Sequence, residues 1–144
     1  MADLPRHPVA VAAAVTNDHG LVLALRRPED GRWEPPGGML ELAETIPDGL
    51  RREVREETGL EVEPVRLGAV YQNTTTGTIV LTFRCRVLGG RLTVNEEASE
   101  FRWMTADEVR EQMPEIFAGR VLDALADTEP PLRLHDGKRL TAHW

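Results

Sequence analysis

The segment REVREETGL, residues 52–60, constrains this chain more than any other. Glu53, Glu56 and Glu57 sit on what should be one helix, where like charges at close spacing repel. Successive helical positions advance by about 100°, so with Glu53 at zero, Glu57 lies at about 40° and Glu56 at about −60°. Leu50 and Val54 fall at about 60° and 100° on the same wheel and mark the buried stripe. Glu57 lies inside that stripe, so its side chain should point toward the protein, while Arg51 and Arg55 take the solvated face. Two readings compete. In one, water and pairs such as Arg52–Glu56 absorb the charge on an exposed helix. In the other, a divalent cation sits between the carboxylates, because an unpartnered buried carboxylate is costly and several at one site drive protons on. Hard carboxylate oxygens suit Mg²⁺ or Mn²⁺. His7, His19, His135 and His143 are scattered in turns and near the ends, and no local Cys/His cluster favours zinc.

The rest of the composition narrows the class. A length of 144 residues suggests one domain, residues 1–144, with a real core. A formal net charge of −7 argues against generic binding to a nucleic-acid backbone, but not against small phosphorylated ligands that a metal can bridge. The lone Cys85 cannot pair within the chain and reads as a small core residue of a protein from a reducing compartment. The apolar run VAVAAAV is too short to span a bilayer and lacks a basic leader, so a cytoplasmic protein is expected.

Along the chain, residues 9–15 and 21–25 read as a hairpin around the turn signal TNDHG. RRPEDGRWEPPGG, residues 26–38, is dense in Pro and Gly and reads as loop. A helix should start at the N-cap Thr45 and stop at Gly59. Residues 61–73 read as extended, and 78–87 as the strongest strand, with Ile79, Leu81, Phe83 and Cys85 on one face. Gly89-Gly90 reads as a turn, 96–100 as an acidic loop, and FRWM as the approach to a short strand. Thr105 with Glu108 makes a capping box, Pro114 a break, and a second helical segment runs to about residue 127. The tail from roughly 129–144 contains a DG turn and reads as a small hairpin or a loose surface segment. Extended segments mixed with helices suggest an α/β layered domain.

The full run GGMLELAETIPDGLRREVREETGL, residues 37–60, shifts the balance between the two readings of the helix. It resembles the Nudix box, the signature of hydrolases that cleave nucleoside diphosphates linked to another moiety. Gly38, Glu44, Arg52, Glu53, Val54, Glu56, Glu57, Gly59 and Leu60 meet every fixed position of that signature. The resemblance implies an α/β/α sandwich with a mixed central sheet and a hydrolase dependent on Mg²⁺, with Mn²⁺ as the alternative. It implies Glu53, Glu56 and Glu57 as metal ligands, joined by the Gly38 carbonyl, with Arg52 bracing the glutamates and Glu44 either supporting the helix or binding metal through water. Gly37 and Gly38 then supply open backbone that can approach an ion or a phosphate. It also implies a small nucleotide-type substrate, and the family often forms homodimers.

Direct attack of water on phosphorus is expected, with no Ser, Cys or His nucleophile. The general base is left between a helix glutamate, Glu53 or Glu56, and a loop glutamate of NEEASE, with Glu97 first and Glu96 and Glu100 behind it. Around the loop, Trp33 either stacks on a base or anchors the loop to the core. Tyr71 either meets base or sugar or is structural, and Arg26 and Arg27 either offset phosphate charge or are solvated. Trp33, Tyr71, Arg26 and Gly37 are the substrate-contact candidates. The WEPPGG run resembles members that hydrolyse (deoxy)nucleoside triphosphates. A nucleotide-sugar or ADP-ribose type pyrophosphatase, and a nucleotide-binding regulator without catalysis, are the alternatives.

Overall fold

The computed structural model describes residues 3–144; residues 1–2, the start of the expected domain, lie outside that range. Strands β1 (Val9–Thr16) and β2 (Val22–Arg26) pair antiparallel across the TNDHG turn. Asn17 closes this turn, its Oδ1 accepting the N–H groups of His19 and Leu21 at 3.0 Å each. β1 then pairs in parallel with β6 (Ile79–Gly90) along its whole length, from Val9↔Ile79 to Thr16↔Arg86. β5 (Leu60–Asn73) lies antiparallel on the far side of β6. The sheet is therefore mixed, and β1 at its centre is nearly continuously apolar because both its faces are buried.

The two faces receive different layers. Val11, Ala13 and Val15 point to one side, where they meet Leu50 and Val54 of α1 (Ile46–Thr58) and Cys85 of β6. Ala14 points to the other, toward α2 (Ala106–Gln112) and α3 (Glu115–Leu125), in a cluster with Val109, Ala118 and Val121. Ala12, Ala69, Tyr71 and Val80 meet Ile116 of α3 beside it. Helices thus cover the sheet on both sides, and the fold is the expected α/β/α sandwich with a mixed central sheet.

Three local readings of the sequence need correction, and the choice left open for the tail is decided. The loop at 26–38 contains two short strands, β3 (Trp33–Glu34) and β4 (Gly37–Met39), held by pairing to β2 and β1. Prolines there fix φ and remove backbone donors, but the remaining N–H and C=O groups still pair with β1 and β2. Gly89-Gly90 is not a turn; it ends β6, opposite Glu61 and Leu60 of β5. On β6, the face of Val80 and Thr82 is at least as buried as that of Ile79, Leu81 and Phe83, because helices cover both sides of the sheet. Of the two readings of the tail, the hairpin is the one formed. β8 (Leu132–His135) adds in parallel to Val70–Asn73 of β5, and β9 (Leu140–His143) folds back on it across the Asp136–Gly137 turn. β7 (Glu100–Met104) pairs with β2. The capping box of α2 is present, with Thr105 and Glu108 exchanging side-chain and backbone hydrogen bonds, and Pro114 separates α2 from α3.

Candidate active site

The site forms where β4 and α1 are pressed together. β4 is pinned to β1 by the Val11↔Gly38 pairing and by a 2.9 Å hydrogen bond from Ala13 N–H to Pro36 C=O. α1 is fixed at both ends. Thr45 Oγ1 accepts the Asp48 N–H at 3.1 Å, and Gly59 closes the C-terminus in the left-handed region at φ 84°, where a side chain would be strained. Leu50 and Val54 are fully buried. Glu57 follows on the same stripe and is 3% exposed, although it is a carboxylate.

Glu57 is held against the glycine turn. Its Oε1 accepts the Gly37 N–H at 2.7 Å, and its Oε2 accepts from Arg27 Nη1 at 3.4 Å. Burial pushes its pKa up to about 8; the Gly37 N–H opposes this, while Glu53, Glu97 and Glu34 add to it. Glu53 lies against Gly38 so closely that a Cβ there would sit 2.4 Å from its carboxyl carbon. Burial raises the Glu53 pKa as well, with Arg52 opposing and Glu56 and Glu97 adding. Arg52 gathers the acidic groups, donating to Glu44 at 2.8 and 3.0 Å, to Glu53 at 3.0 Å and to Glu56 at 3.3 Å. It also reaches the Met39 carbonyl at 3.2 Å.

Glu97 arrives from the opposite side. Asn95 fastens its loop to the end of α1, with Nδ2 donating to the Glu57 carbonyl at 2.8 Å and Oδ1 accepting the Glu97 N–H at 2.8 Å. Glu56, Asn95, Glu96 and Glu97 line an acidic hollow of about 340 Å³. Glu100 lies apart, on β7, paired with Arg26 and Arg102. Among the described residues no three acidic, His or Cys side chains already converge as a metal cage. Glu56 in particular is turned toward Arg52. The donor chemistry nonetheless fits a hard cation. Two shielded carboxylates, each with a pKa raised by burial and by neighbouring negative charge, abut a glycine backbone whose lack of side chains is what lets Glu53 approach it.

A second cavity, of about 280 Å³, opens on the other side of Gly37 and Gly38. Its floor is Ala10–Ala12 and Val80, and Arg27, Arg32, Phe117 and Arg120 stand around it. Three of the substrate-contact candidates do not face it. Trp33 is 5% exposed and packs with Ala24 and Met104, and the guanidiniums of Arg102 and Arg26 cover its ring at 4.7 and 5.6 Å. That ring is an anchor with no face free for a base. Tyr71 is fully buried, its hydroxyl donating to Asp123 Oδ2 at 2.6 Å. Arg26 turns outward to the Gly31 carbonyl and Glu100, and its neighbour Arg27 takes the inward place. Arg32, Phe117, Arg120 and Asn95 went unmarked in the sequence. The only signal was the i,i+3 spacing of Phe117 and Arg120, which means something only once α3 is known to flank the glycine turn.

A mixed sheet between helical layers, with a glycine turn docked on a glutamate-rich helix, defines the Nudix class of α/β/α proteins. The family model described as NUDIX domain matches residues 6–125. The chain belongs to that family and is a Nudix hydrolase; enzymes of this family need divalent cations. It is 49% identical over 136 residues to a MutT-like protein of Streptomyces ambofaciens, covering 94% of this chain and 88% of that one. It is 34% identical over 101 residues to an ADP-ribose pyrophosphatase of Methanocaldococcus jannaschii, covering 65% of this chain and 60% of the relative. The crystal structure of a NUDIX hydrolase from Nitrosomonas europaea superposes with a TM-score of 0.79 at 21% identity, over 92% of this chain and 82% of that one, a likeness of fold. Among the described residues no helix is long and apolar enough to cross a membrane.

Proposed function

We propose that this chain hydrolyses a phosphoanhydride bond in a small nucleotide-type substrate, with Mg²⁺, or Mn²⁺ in its place, at the α1 carboxylates. The observation that carries the reading is the buried Glu57 beside Glu53 at the Gly37–Gly38 turn. Negative charge is concentrated there beyond what Arg27 and Arg52 neutralise. Glu53, Glu56, Glu57 and the Gly38 carbonyl would hold the cation. When bound, it supplies charge neutralisation for phosphate oxygens and lowers the pKa of water.

The chain's own residues do the rest. Arg52, anchored on Glu44, keeps the Glu53 and Glu56 side chains from swinging away. Arg27, in the wall of the cleft and within 3.4 Å of Glu57, offsets phosphate charge beside the helix carboxylates. The Gly37 and Gly38 backbone admits the anhydride closely. The proton leaving the attacking water goes to a carboxylate. Glu97 is the first candidate, because Asn95 ties its loop to the end of α1, and Glu53 and Glu56 are the alternatives. The likeness of the WEPPGG run supports (deoxy)nucleoside triphosphates as substrates, and the archaeal relative named ADP-ribose pyrophosphatase keeps ADP-ribose in the panel.

The test is a product-resolved hydrolysis screen with Mg²⁺ and with Mn²⁺. It covers ordinary and oxidised triphosphates, nucleotide sugars, ADP-ribose and dinucleoside polyphosphates. Release of pyrophosphate, phosphate or a nucleoside monophosphate, abolished by chelation, is the expected result. Saturable nucleotide binding with no product after long incubation would leave only the non-catalytic regulator.

A further inference from the structure

Behind Phe117 and Arg120 lies a third cavity, of about 400 Å³, between the start of α3 and the β8–β9 turn. It shares Arg32, Phe117 and Arg120 with the cleft and adds Asn73, His135 and Lys138. Its polar lining is unusual for a chain of net charge −7, since no carboxylate belongs to it. Arg120 forms no ion pair or hydrogen bond among the described residues, and its Nε is buried without a partner. Its guanidinium lies instead between the rings of Phe117, at 5.3 Å, and Tyr71, at 5.7 Å. A positive charge so placed is stabilised by ring faces but lacks an acceptor.

The neighbours are donors as well. His135 is 2% exposed; its Nδ1 accepts the Gly137 N–H at 3.1 Å, so the proton of the neutral ring sits on Nε2, which is buried and unpartnered. Asn73 Oδ1 is engaged by the Thr75 and Thr76 N–H groups, which leaves its NH₂ to donate. The nearby Asp136 carboxylate does not line the pocket; its Oδ1 accepts the Lys138 and Arg139 N–H groups at 2.9 Å each. The Lys138 ammonium forms no ion pair or hydrogen bond among the described residues; Arg32, 5.3 Å from Phe117, is already paired with Glu34 at 3.0 Å and Asp30 at 3.3 Å and adds only its positive field. Protein interiors rarely leave several donors without an acceptor, and such a set is completed by an acceptor-only group.

We propose that this pocket is a second anion site, taking a phosphate or carboxylate held apart from the scissile anhydride. That it continues the cleft rests on the function proposed above; that it binds an anion does not. The anion has two sources, a distal anionic group of the same substrate or a free anion acting as an effector.

The test titrates inorganic phosphate into the full chain in EDTA, following the Arg120 Nε–Hε and His135 ring resonances by NMR. Without metal, the α1 carboxylates repel phosphate, so they do not supply the signal. Saturable shifts of both side chains are expected, with affinity weakened about tenfold in Arg120→Gln and in Lys138→Ser, the scale of one charge-assisted contact. Lys138 is exposed, so its replacement does not threaten folding. Glu57→Gln should leave phosphate binding unchanged, which separates failure of this site from failure of the catalytic reading. Competition between phosphate and a non-hydrolysable nucleotide bearing an extra phosphate identifies the substrate's own group as the occupant. Independent binding of the two identifies an effector. The absence of saturable shifts in the parent, or phosphate affinity in both pocket variants equal to the parent's, overturns the proposal.

Discussion

Arg52 grips Glu44 side by side, Nη2 to Oε1 at 2.8 Å and Nε to Oε2 at 3.0 Å, while its Nη1 reaches Glu53 at 3.0 Å. The paired contact and the Glu41 N–H hold the Glu44 carboxyl down to about 2. A planar guanidinium can serve both carboxylates at once, and an ammonium cannot. Arg52→Lys should therefore lower kcat by about 10- to 100-fold, the usual scale for losing a group that orients ligands. KM and melting temperature should move little. A kcat within twofold of the parent would remove Arg52 from the positioning role.

Glu57 links pH, metal and stability. Its pKa rises from 4.5 to about 8 on folding, chiefly through burial. Between those values the native state keeps a proton that the unfolded chain has lost. Metal-free stability should therefore be fully present below pH 4.5 and fall as pH rises toward 8, by up to about 1.4 kcal/mol per unit from this group. A bound cation requires the ionised form, so the gain in melting temperature from Mg²⁺ should widen over the same window. Thermal melts in EDTA and in Mg²⁺ across this range check both trends. A Mg²⁺ gain that stays flat with pH would detach Glu57 from the cation.

Glu57→Gln keeps the hydrogen bond to Gly37 N–H but cannot ligate as a carboxylate. Turnover should fall by on the order of a thousandfold, the scale of losing one strong electrostatic contact in the transition state. The far-UV spectrum should be unchanged, and the metal-free melting temperature at pH 8 should not drop, because the buried charge is gone. Near-parental phosphoanhydride hydrolysis at saturating Mg²⁺ would end the assignment.

What the sequence disclosed follows local chemistry. Thr45 and Gly59 bound α1 because caps act within one helical turn, and Glu57 lies inward because helical geometry puts it on the stripe of Leu50 and Val54. The faces of β6 were less legible, since a strand covered on both sides loses the alternation that would label them. The walls of the cleft were less legible still. Arg120 and Phe117 come from α3 and meet Arg32 from the β2–β3 loop, a contact that no spacing along the chain encodes. Arg26 and Arg27 look alike in sequence, and only the end of β2 decides which of them faces the glycines.

Glu97 is the residue on which the proposed proton transfer most depends. Its loop is tied to the Glu57 carbonyl through Asn95, so removing its charge should leave the helix in place. Glu97→Gln should lower kcat by about 10²- to 10⁴-fold, the range of general-base assistance, with metal affinity nearly unchanged. The acidic limb of the pH–rate profile should also shift or vanish. An unaltered profile and turnover number would return the base to Glu53 or Glu56.

Trp33 separates anchoring from recognition. Its ring is 5% exposed, packs with Ala24 and Met104, and is covered by Arg102 and Arg26. Emptying that space in Trp33→Ala should destabilise the fold by about 3 to 5 kcal/mol, as large aromatic truncations in cores do. Trp33→Phe retains most of the packing and should cost less. If the ring only anchors, KM of the folded Phe variant should stay within about twofold of the parent, since no base-stacking contact worth about 1 to 3 kcal/mol is lost. Denaturant melts and steady-state kinetics on the same preparations decide the matter: a tenfold rise in KM at unchanged stability would mean that the ring turns out of the core to meet the substrate.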